Sequence, residues 1–229
     1  MSFFQVSAQS SLITNAGTYH NEGLGMLLNY YDNNPQTPRT ISNSFNLLSQ
    51  YFNQQYGWEI VQLSPELEAL LTQVVQNQNT NETVQLARSM VASIQRKLIP
   101  TEYQLSQNLL NIFQQGPSQQ FESQLNNLKA HYDSYTWDLD NGEGHLIGGS
   151  LNVALASLSF WKQYGNNSND EVFALIWKDL KGYIFSWTTL YYYECVENDA
   201  CPGSICTCPG QWRRIRTSIL SGAATSAFF

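Results

Sequence analysis

The feature that most constrains this chain is an uncharged apolar stretch in its second half. No charged residue occurs between Glu143 and Lys162, and apolar side chains fall on every face of a helix drawn through this stretch. Such a helix belongs inside a bundle or a membrane, because no side of it is suited to water. Gly144, Gly148 and Ala156 would let a second backbone approach closely. We therefore predict a buried central helix against which the other helices pack.

The same stretch falls short of a resident membrane span. The apolar run from Leu146 to Trp161 is 16 residues long. As a helix it covers about 24 Å of the ~30 Å hydrocarbon core. It also contains Asn152 and three serines, whose polar groups are costly in lipid. A transmembrane helix is not expected here.

The rest of the chain repeats its apolar residues at helical spacing. His20, Leu24, Leu27 and Tyr31 are separated by 4, 3 and 4 positions, and later segments show the same period. No run alternates at period two for long enough to form a sheet, and no linker marks a domain boundary. We predict an all-α bundle of about eight helices in a single domain, 1–229.

Start and stop signals place several helix ends. Ser64 precedes a proline and Ser168 precedes an acidic first turn, and a serine in this position can accept a hydrogen bond from the first turn. An apolar seam from Val84 to Leu98 predicts one helix that Pro100 ends. The last helix is predicted from Gln211 to Phe229, after a cysteine-rich loop.

Charge is scarce in this chain. Asp, Glu, Lys and Arg make up 13% of the residues, about half of the roughly 25% typical of soluble domains. Amide and hydroxyl residues take their place. The net charge of −7 and the sequence pI near 4.8 argue against nucleic acid as a partner, because phosphate binding needs a basic surface. We interpret the one basic segment, 211–216, as pairing with Glu194, Glu197 and Asp199.

All four cysteines, Cys195, Cys201, Cys206 and Cys208, lie in one loop rich in proline and glycine. Their spacing fits poorly with the paired knuckles of a four-cysteine zinc site. An even number of clustered cysteines favours two local disulfides if the compartment is oxidising. Zinc and free thiols are the alternatives.

Other motifs do not predict an enzyme or a cofactor. The segment 138–149 departs from the calcium-loop pattern at its glycine and glutamate positions, so it is interpreted as a turn that leads into the central helix. The three histidines, His20, His131 and His145, show no metal-ligand or catalytic spacing, and no nucleotide or hydrolase motif is present. We predict no catalytic residue, cofactor or metal.

The N-terminal segment lacks the basic and long apolar regions of a secretory signal. The compartment is therefore not fixed by the sequence. An extracellular location, reached by a route that leaves no such mark, is favoured over a cytoplasmic one.

The segment from Gly17 to Leu24 reads G-x-x-H-N-x-x-L. It resembles an N-terminal signature of uncharacterised helical proteins of Bacteroidota, many of them exported. Those proteins also carry an aspartate followed by a glycine-rich apolar helix, which the segment from Asp140 to Gly149 resembles. The resemblance implies a helical fold and carries no activity. This sequence departs from it in its cysteine loop and in lacking a signal peptide.

The favoured function is that of a structural protein that assembles with copies of itself into oligomers, filaments or particles. A weakly charged surface and abundant Tyr and Trp suit such contacts. The candidate self-association residues are Ser218, Gly222, Ser226, Phe228 and Phe229. Deleting residues 221–229 is expected to abolish assembly and leave helicity largely intact. The alternatives are a membrane-active, toxin-like protein and an enzyme whose site is visible only in three dimensions.

Overall fold

The computed structural model describes residues 11–60, 62–164, 168–197 and 211–227, and these form a bundle of α-helices without a strand. The predicted all-α class is confirmed. The helices are α1 Ala16–Asn33, α2 Ile41–Tyr56, α3 Pro65–Gln76, α4 Thr80–Ser93, α5 Pro100–Gln114, α6 Phe121–Asp133, α7 His145–Gln163, α8 Asn169–Tyr192 and α9 Gln211–Ser226.

Local sequence signals set the helix starts as predicted. The Ser64 side chain accepts a hydrogen bond from the backbone N–H of Leu67. Ser168 and Glu171 form a reciprocal capping box at the start of α8. The turn before α7 is also confirmed, since the Asp138 side chain accepts from Asn141 N–H and Gly142 adopts a left-handed conformation. These caps satisfy N–H groups that have no partner within their own helix.

The seam from Val84 to Leu98 differs from its prediction. The helix α4 ends at Ser93, and a short 3₁₀ turn, Gln95–Lys97, follows. Ile94 and Leu98 are nevertheless buried. The apolar spacing therefore predicted which side chains face the core, whereas the reversal of the chain into α5 set the backbone conformation.

The predicted central helix shares the core with two others. Residues 144–151, at the start of α7, are buried in succession, so the helix is enclosed there as predicted. Its second half differs from the prediction, because Ser159 is exposed and Leu155 and Phe160 are only partly buried. Burial is longer in α8, over residues 179–188, and at the end of the chain, over residues 217–227. The sequence pattern did not predict that this last segment is core, because its residues are small rather than strongly apolar, mostly Ser, Thr, Gly and Ala.

Glycines allow α8 and α9 to lie against each other. A Cβ atom on Gly182 would lie 2.5 Å from the carbonyl oxygen of Ser221 and 2.8 Å from Gly222 Cα. Neither Gly182 nor Gly222 has room for a side chain, so the backbones of α8 and α9 touch directly. The terminal helix also packs against α1 and α2. Among the described residues, none of the helices is long and apolar enough to cross a membrane.

Candidate functional site

Several of the chain's few charged side chains lie in its interior. Glu102, Asp179, Lys181 and Arg214 are each at most 3% exposed. Burying a charge is costly unless it gains a partner or hydrogen bonds. The contacts of each of these side chains therefore show which helices the buried charges join.

One buried cluster joins four helices. His20 Nε2 on α1 lies 3.4 Å from Asp179 Oδ1 on α8, and the indole of Trp161 on α7 donates to Asp179 Oδ2 at 2.9 Å. A Cβ atom on Gly222 of α9 would lie 3.1 Å from His20 Cδ2. Burial by itself lowers the pKa of His20, but the charge and hydrogen bond of Asp179 outweigh it and raise that pKa. The cluster is a histidine–aspartate pair with a tryptophan as a further donor, and the raised pKa favours the charged form of His20.

The rest of the G-x-x-H-N segment holds α1 against α7. The Asn21 amide donates to the carbonyl oxygen of Ala156 at 2.9 Å. A Cβ atom on Gly17 would lie 2.5 Å from Ala156 Cβ and 2.9 Å from the carbonyl carbon of Asn152. The G-x-x-H-N motif, on which the family resemblance rests, therefore serves to pack α1 against α7. Because His20 and Asp179 are both 0% exposed, no substrate reaches them in this conformation.

A second cluster caps the start of α7 from another helix. The N-cap residue of α7 is Gly144, which has no side chain that could cap the helix. The Glu102 carboxylate on α5 accepts the N–H groups of Gly144 at 3.0 Å and Leu146 at 2.9 Å. Burial raises the pKa of Glu102 to about 7, against the lowering effect of these hydrogen bonds, and nearby Glu143 raises it further.

This pKa predicts a pH dependence of stability. The pKa of Glu102 is higher in the folded chain, about 7, than its ordinary value of 4.5, so its protonated form favours folding. Its contribution is complete below pH 4.5 and is lost as pH rises to about 7, a loss of roughly 3 kcal/mol in the free energy of unfolding. Urea unfolding of the wild type and Glu102→Gln between pH 4 and 8 measures this loss as the difference between the two curves.

His145 opposes this trend in both proteins. Burial first, and then the charge of Arg214, lower the pKa of His145 to about 4. Its contribution is therefore lost as pH falls from 6.5 to about 4. Because this term is common to the wild type and Glu102→Gln, it cancels in their difference. Curves that run parallel across the whole range would contradict the assignment to Glu102.

Lys181 and Arg214 complete the buried charges. The Lys181 ammonium donates to the carbonyl oxygens of Val74 at 2.8 Å and Asn77 at 3.3 Å, at the C-terminal end of α3. Arg214 on α9 bonds Glu194 Oε2 at 3.1 Å and lies over the ring of Tyr191, 4.6 Å from its centroid. Glu102 and Lys181 thus each bond backbone groups that a helix end leaves without a partner, N–H groups at the start of α7 and carbonyl oxygens at the end of α3.

The basic segment pairs in part as the sequence predicts. The Arg214–Glu194 pair confirms the interpretation for one of its three arginines. Arg213 instead contacts Glu59, at 3.0 Å, because the start of α9 lies beside the loop after α2. Of the other proposed partners, Asp199 lies outside the described residues.

The cysteine prediction can be followed only at Cys195. Its side chain is buried, and its Sγ accepts a hydrogen bond from Arg214 Nη1 at 3.4 Å. The other three, Cys201, Cys206 and Cys208, lie outside the described residues, so the two disulfides stay a prediction. The described residues contain no group of three or more His, Cys, Asp or Glu side chains placed to hold a metal ion.

The predicted self-association residues that the structure describes are buried in the core of the subunit. Ser218, Gly222 and Ser226 are buried against the chain's own helices, whereas Phe228 and Phe229 lie outside the described residues. This corrects the expectation for deletion of 221–229. Residues 221–227 are core, so their removal is expected to cost helicity and folding as well as any assembly.

The main residues that sequence reasoning missed are Glu102, Asp179 and Lys181. Glu102 and Asp179 each lie among apolar or small residues on their helix face, and a charge within such a stripe is the one signal that could have marked them. Lys181 follows Lys178 and Asp179 closely in the sequence, so it lacks this signal. The resemblance to Bacteroidota helical proteins stays a prediction. No protein-family model, no curated protein and no solved structure matches this chain.

Proposed function

We propose that this chain is a structural subunit that associates with copies of itself through its outer surface. The observation that supports this most is the identity of its exposed large apolar residues. Among the described residues these are Tyr56, Tyr135, Tyr164, Tyr192, Tyr193 and Leu86. Tyrosine is enriched in protein interfaces because its ring buries a large area while its hydroxyl keeps a partner.

The scarcity of charge supports the same proposal. The chain has 11 basic and 18 acidic residues, and four of those that the structure describes have buried side chains. The exterior therefore carries fewer charged side chains still, so a contact between copies can form without burying many of them. Amide and hydroxyl groups on that surface can pair with their own kind in a neighbouring molecule.

The contact surface we propose is the tyrosine pair at the end of α8. Tyr192 and Tyr193 are 41% and 43% exposed, and their rings meet edge to face with centroids 6.2 Å apart. Because the α9 segment is enclosed by its own chain, it does not supply this surface. Assembly in this account joins subunits that are already folded.

The combined change Tyr192→Ser with Tyr193→Ser is expected to shift the protein from large particles to monomer. Losing buried aromatic anchors costs an interface about 2 kcal/mol or more, equivalent to about 30-fold in affinity. Size-exclusion chromatography with light scattering and negative-stain imaging measure the particle size, and far-UV circular dichroism checks the fold.

The matched control is Tyr135→Ser, which removes an equally exposed tyrosine, 42%, at the end of α6. It is expected to leave the particle size unchanged. A wild-type protein that stays a monodisperse monomer at high concentration would contradict the proposed function. Wild-type particles that the double variant does not alter would contradict the choice of surface.

A further inference from the structure

The turn that leads into α7 contains the only asparagine of this sequence that is followed directly by glycine, Asn141-Gly142. Asparagine is a chemically labile residue. A following glycine leaves its own backbone nitrogen unhindered, because glycine has no Cβ and adopts many backbone conformations. Asn141 is exposed, so water reaches its side chain. The pair therefore has the groups for a spontaneous reaction between a side-chain amide and the next backbone nitrogen.

The reaction is deamidation through a cyclic imide. The Gly142 nitrogen forms a bond to Cγ of Asn141 and gives up its proton, and the side-chain amide leaves with that proton as ammonia. Water then adds to either carbonyl carbon of the imide ring and opens it. The product at position 141 is aspartate or isoaspartate, and in isoaspartate the backbone runs through the former side chain.

Hydrogen bonds in the turn hold both reacting groups. The Gly142 N–H donates to the carbonyl oxygen of Leu139 at 3.1 Å. The Asn141 side-chain amide donates to Asp138 Oδ2, and the Asn141 backbone N–H donates to Asp138 Oδ1 at 3.2 Å. Attack on Cγ requires the release of these bonds, so it occurs only when the turn opens. An exposed turn opens locally, without unfolding of the whole chain.

We propose that Asn141 is a site of spontaneous deamidation in the folded protein, and that Asp138 sets its rate by holding the turn closed. The product is expected to weaken the start of α7. It places a second carboxylate beside Asp138, where an amide donor lay before, and like charges repel each other. Isoaspartate also lengthens the backbone three residues before Gly144, whose N–H bonds Glu102 at 3.0 Å.

The test is incubation of the wild-type protein in ¹⁸O-labelled water at pH 8, followed by peptide mass spectrometry. Asn141 is expected to become an acid that carries ¹⁸O. Asn127 is expected to stay an amide, because it is exposed but lies within α6 and precedes a leucine. Asp138→Ala is expected to raise the rate at Asn141 about 3- to 10-fold, since two hydrogen bonds of the turn are lost.

Asp133→Ala is the matched control, since it removes an exposed acid that lies outside the turn. It is expected to convert Asn141 at the wild-type rate. An Asn141 side chain that stays an amide in the folded wild type, until the urea-unfolded chain is converted, would overturn the proposal. Equal rates in the wild type and Asp138→Ala would overturn the role of Asp138.

The effect on α7 has a separate readout. The converted protein carries one more negative charge, so ion exchange separates it from the unmodified protein. It is expected to unfold at a lower temperature, because the turn before α7 has lost its closing bonds. Equal unfolding temperatures of the two fractions would overturn this part of the proposal. None of these measurements depends on self-assembly, because the turn and the pair Tyr192–Tyr193 share no residue.

Discussion

Replacing Asp179 by alanine is expected to lower the free energy of unfolding by about 3–5 kcal/mol, because removing one partner leaves the other charge buried without compensation. The substitution takes away the counter-charge of His20 and the acceptor of the Trp161 indole. Both partners are enclosed, so water does not replace what is lost. Urea unfolding followed by circular dichroism at pH 6 measures the effect.

The pH of that measurement follows from the sign of the His20 shift. Its pKa is raised in the folded chain above 6.5. The contribution of the pair is therefore complete below pH 6.5 and is lost as pH rises through the folded pKa. The penalty of Asp179→Ala is expected to be larger at pH 6 than in alkaline solution.

Two variants calibrate this result. Asp133→Ala removes an exposed ion pair with Lys129, and it is expected to cost at most about 1 kcal/mol. A double-mutant cycle with His20→Ala is expected to show strong coupling, with the double variant losing less than the two single losses added. A loss below about 1 kcal/mol for Asp179→Ala, or two effects that simply add, would show that the pair is not what joins these helices.

Replacing Gly182 by valine is expected to destabilise the protein by about 3 kcal/mol or more, at or beyond the upper end of the cost of overpacking. Even its Cβ atom would meet the backbone of α9 at Ser221 and Gly222, and also the hydroxyl of Thr225. Backbone atoms cannot rotate aside as a side chain can. The helices α8 and α9 would have to separate and open the longest buried segments of the fold.

Gly25 provides the matched control on another helix. It lies within α1, and a Cβ atom there meets nothing within 4 Å. Gly25→Ala is therefore expected to raise the free energy of unfolding by about 0.5–1 kcal/mol, because alanine favours a helix over glycine. Thermal unfolding of both variants measures the contrast. A Gly182→Val protein as stable as the wild type would mean that α8 and α9 do not touch as described.

The fold class and several helix starts could be predicted because they depend on local signals. The periodic apolar residues from His20 to Tyr31 and the capping serines Ser64 and Ser168 act within a few positions of themselves. The burial of residues 217–227 could not be predicted in the same way. Small residues are compatible both with a surface ridge and with a tightly packed interface, and only the partner helix decides between them.

The buried charges could not be predicted for a related reason. Glu102 caps a helix that begins 43 positions later, and Lys181 bonds the end of a helix that lies about a hundred residues earlier. Such capping joins groups that are distant in the sequence, so it cannot be predicted from the spacing of residues within one helix. The apolar stripe of α1 marks His20 as a core residue, but no local pattern marks Asp179 as its partner.

The most direct test of the account is hydrogen exchange of the residues 179–188 and 217–227 in the monomer and in the assembled protein. We expect both segments to exchange most slowly of all and only through global unfolding, at the same level in either state. The segment 217–227 would contradict the account if it exchanged rapidly in the monomer and became protected only on assembly. That result would mean that the C-terminal helix forms the subunit interface, as the sequence pattern alone predicts.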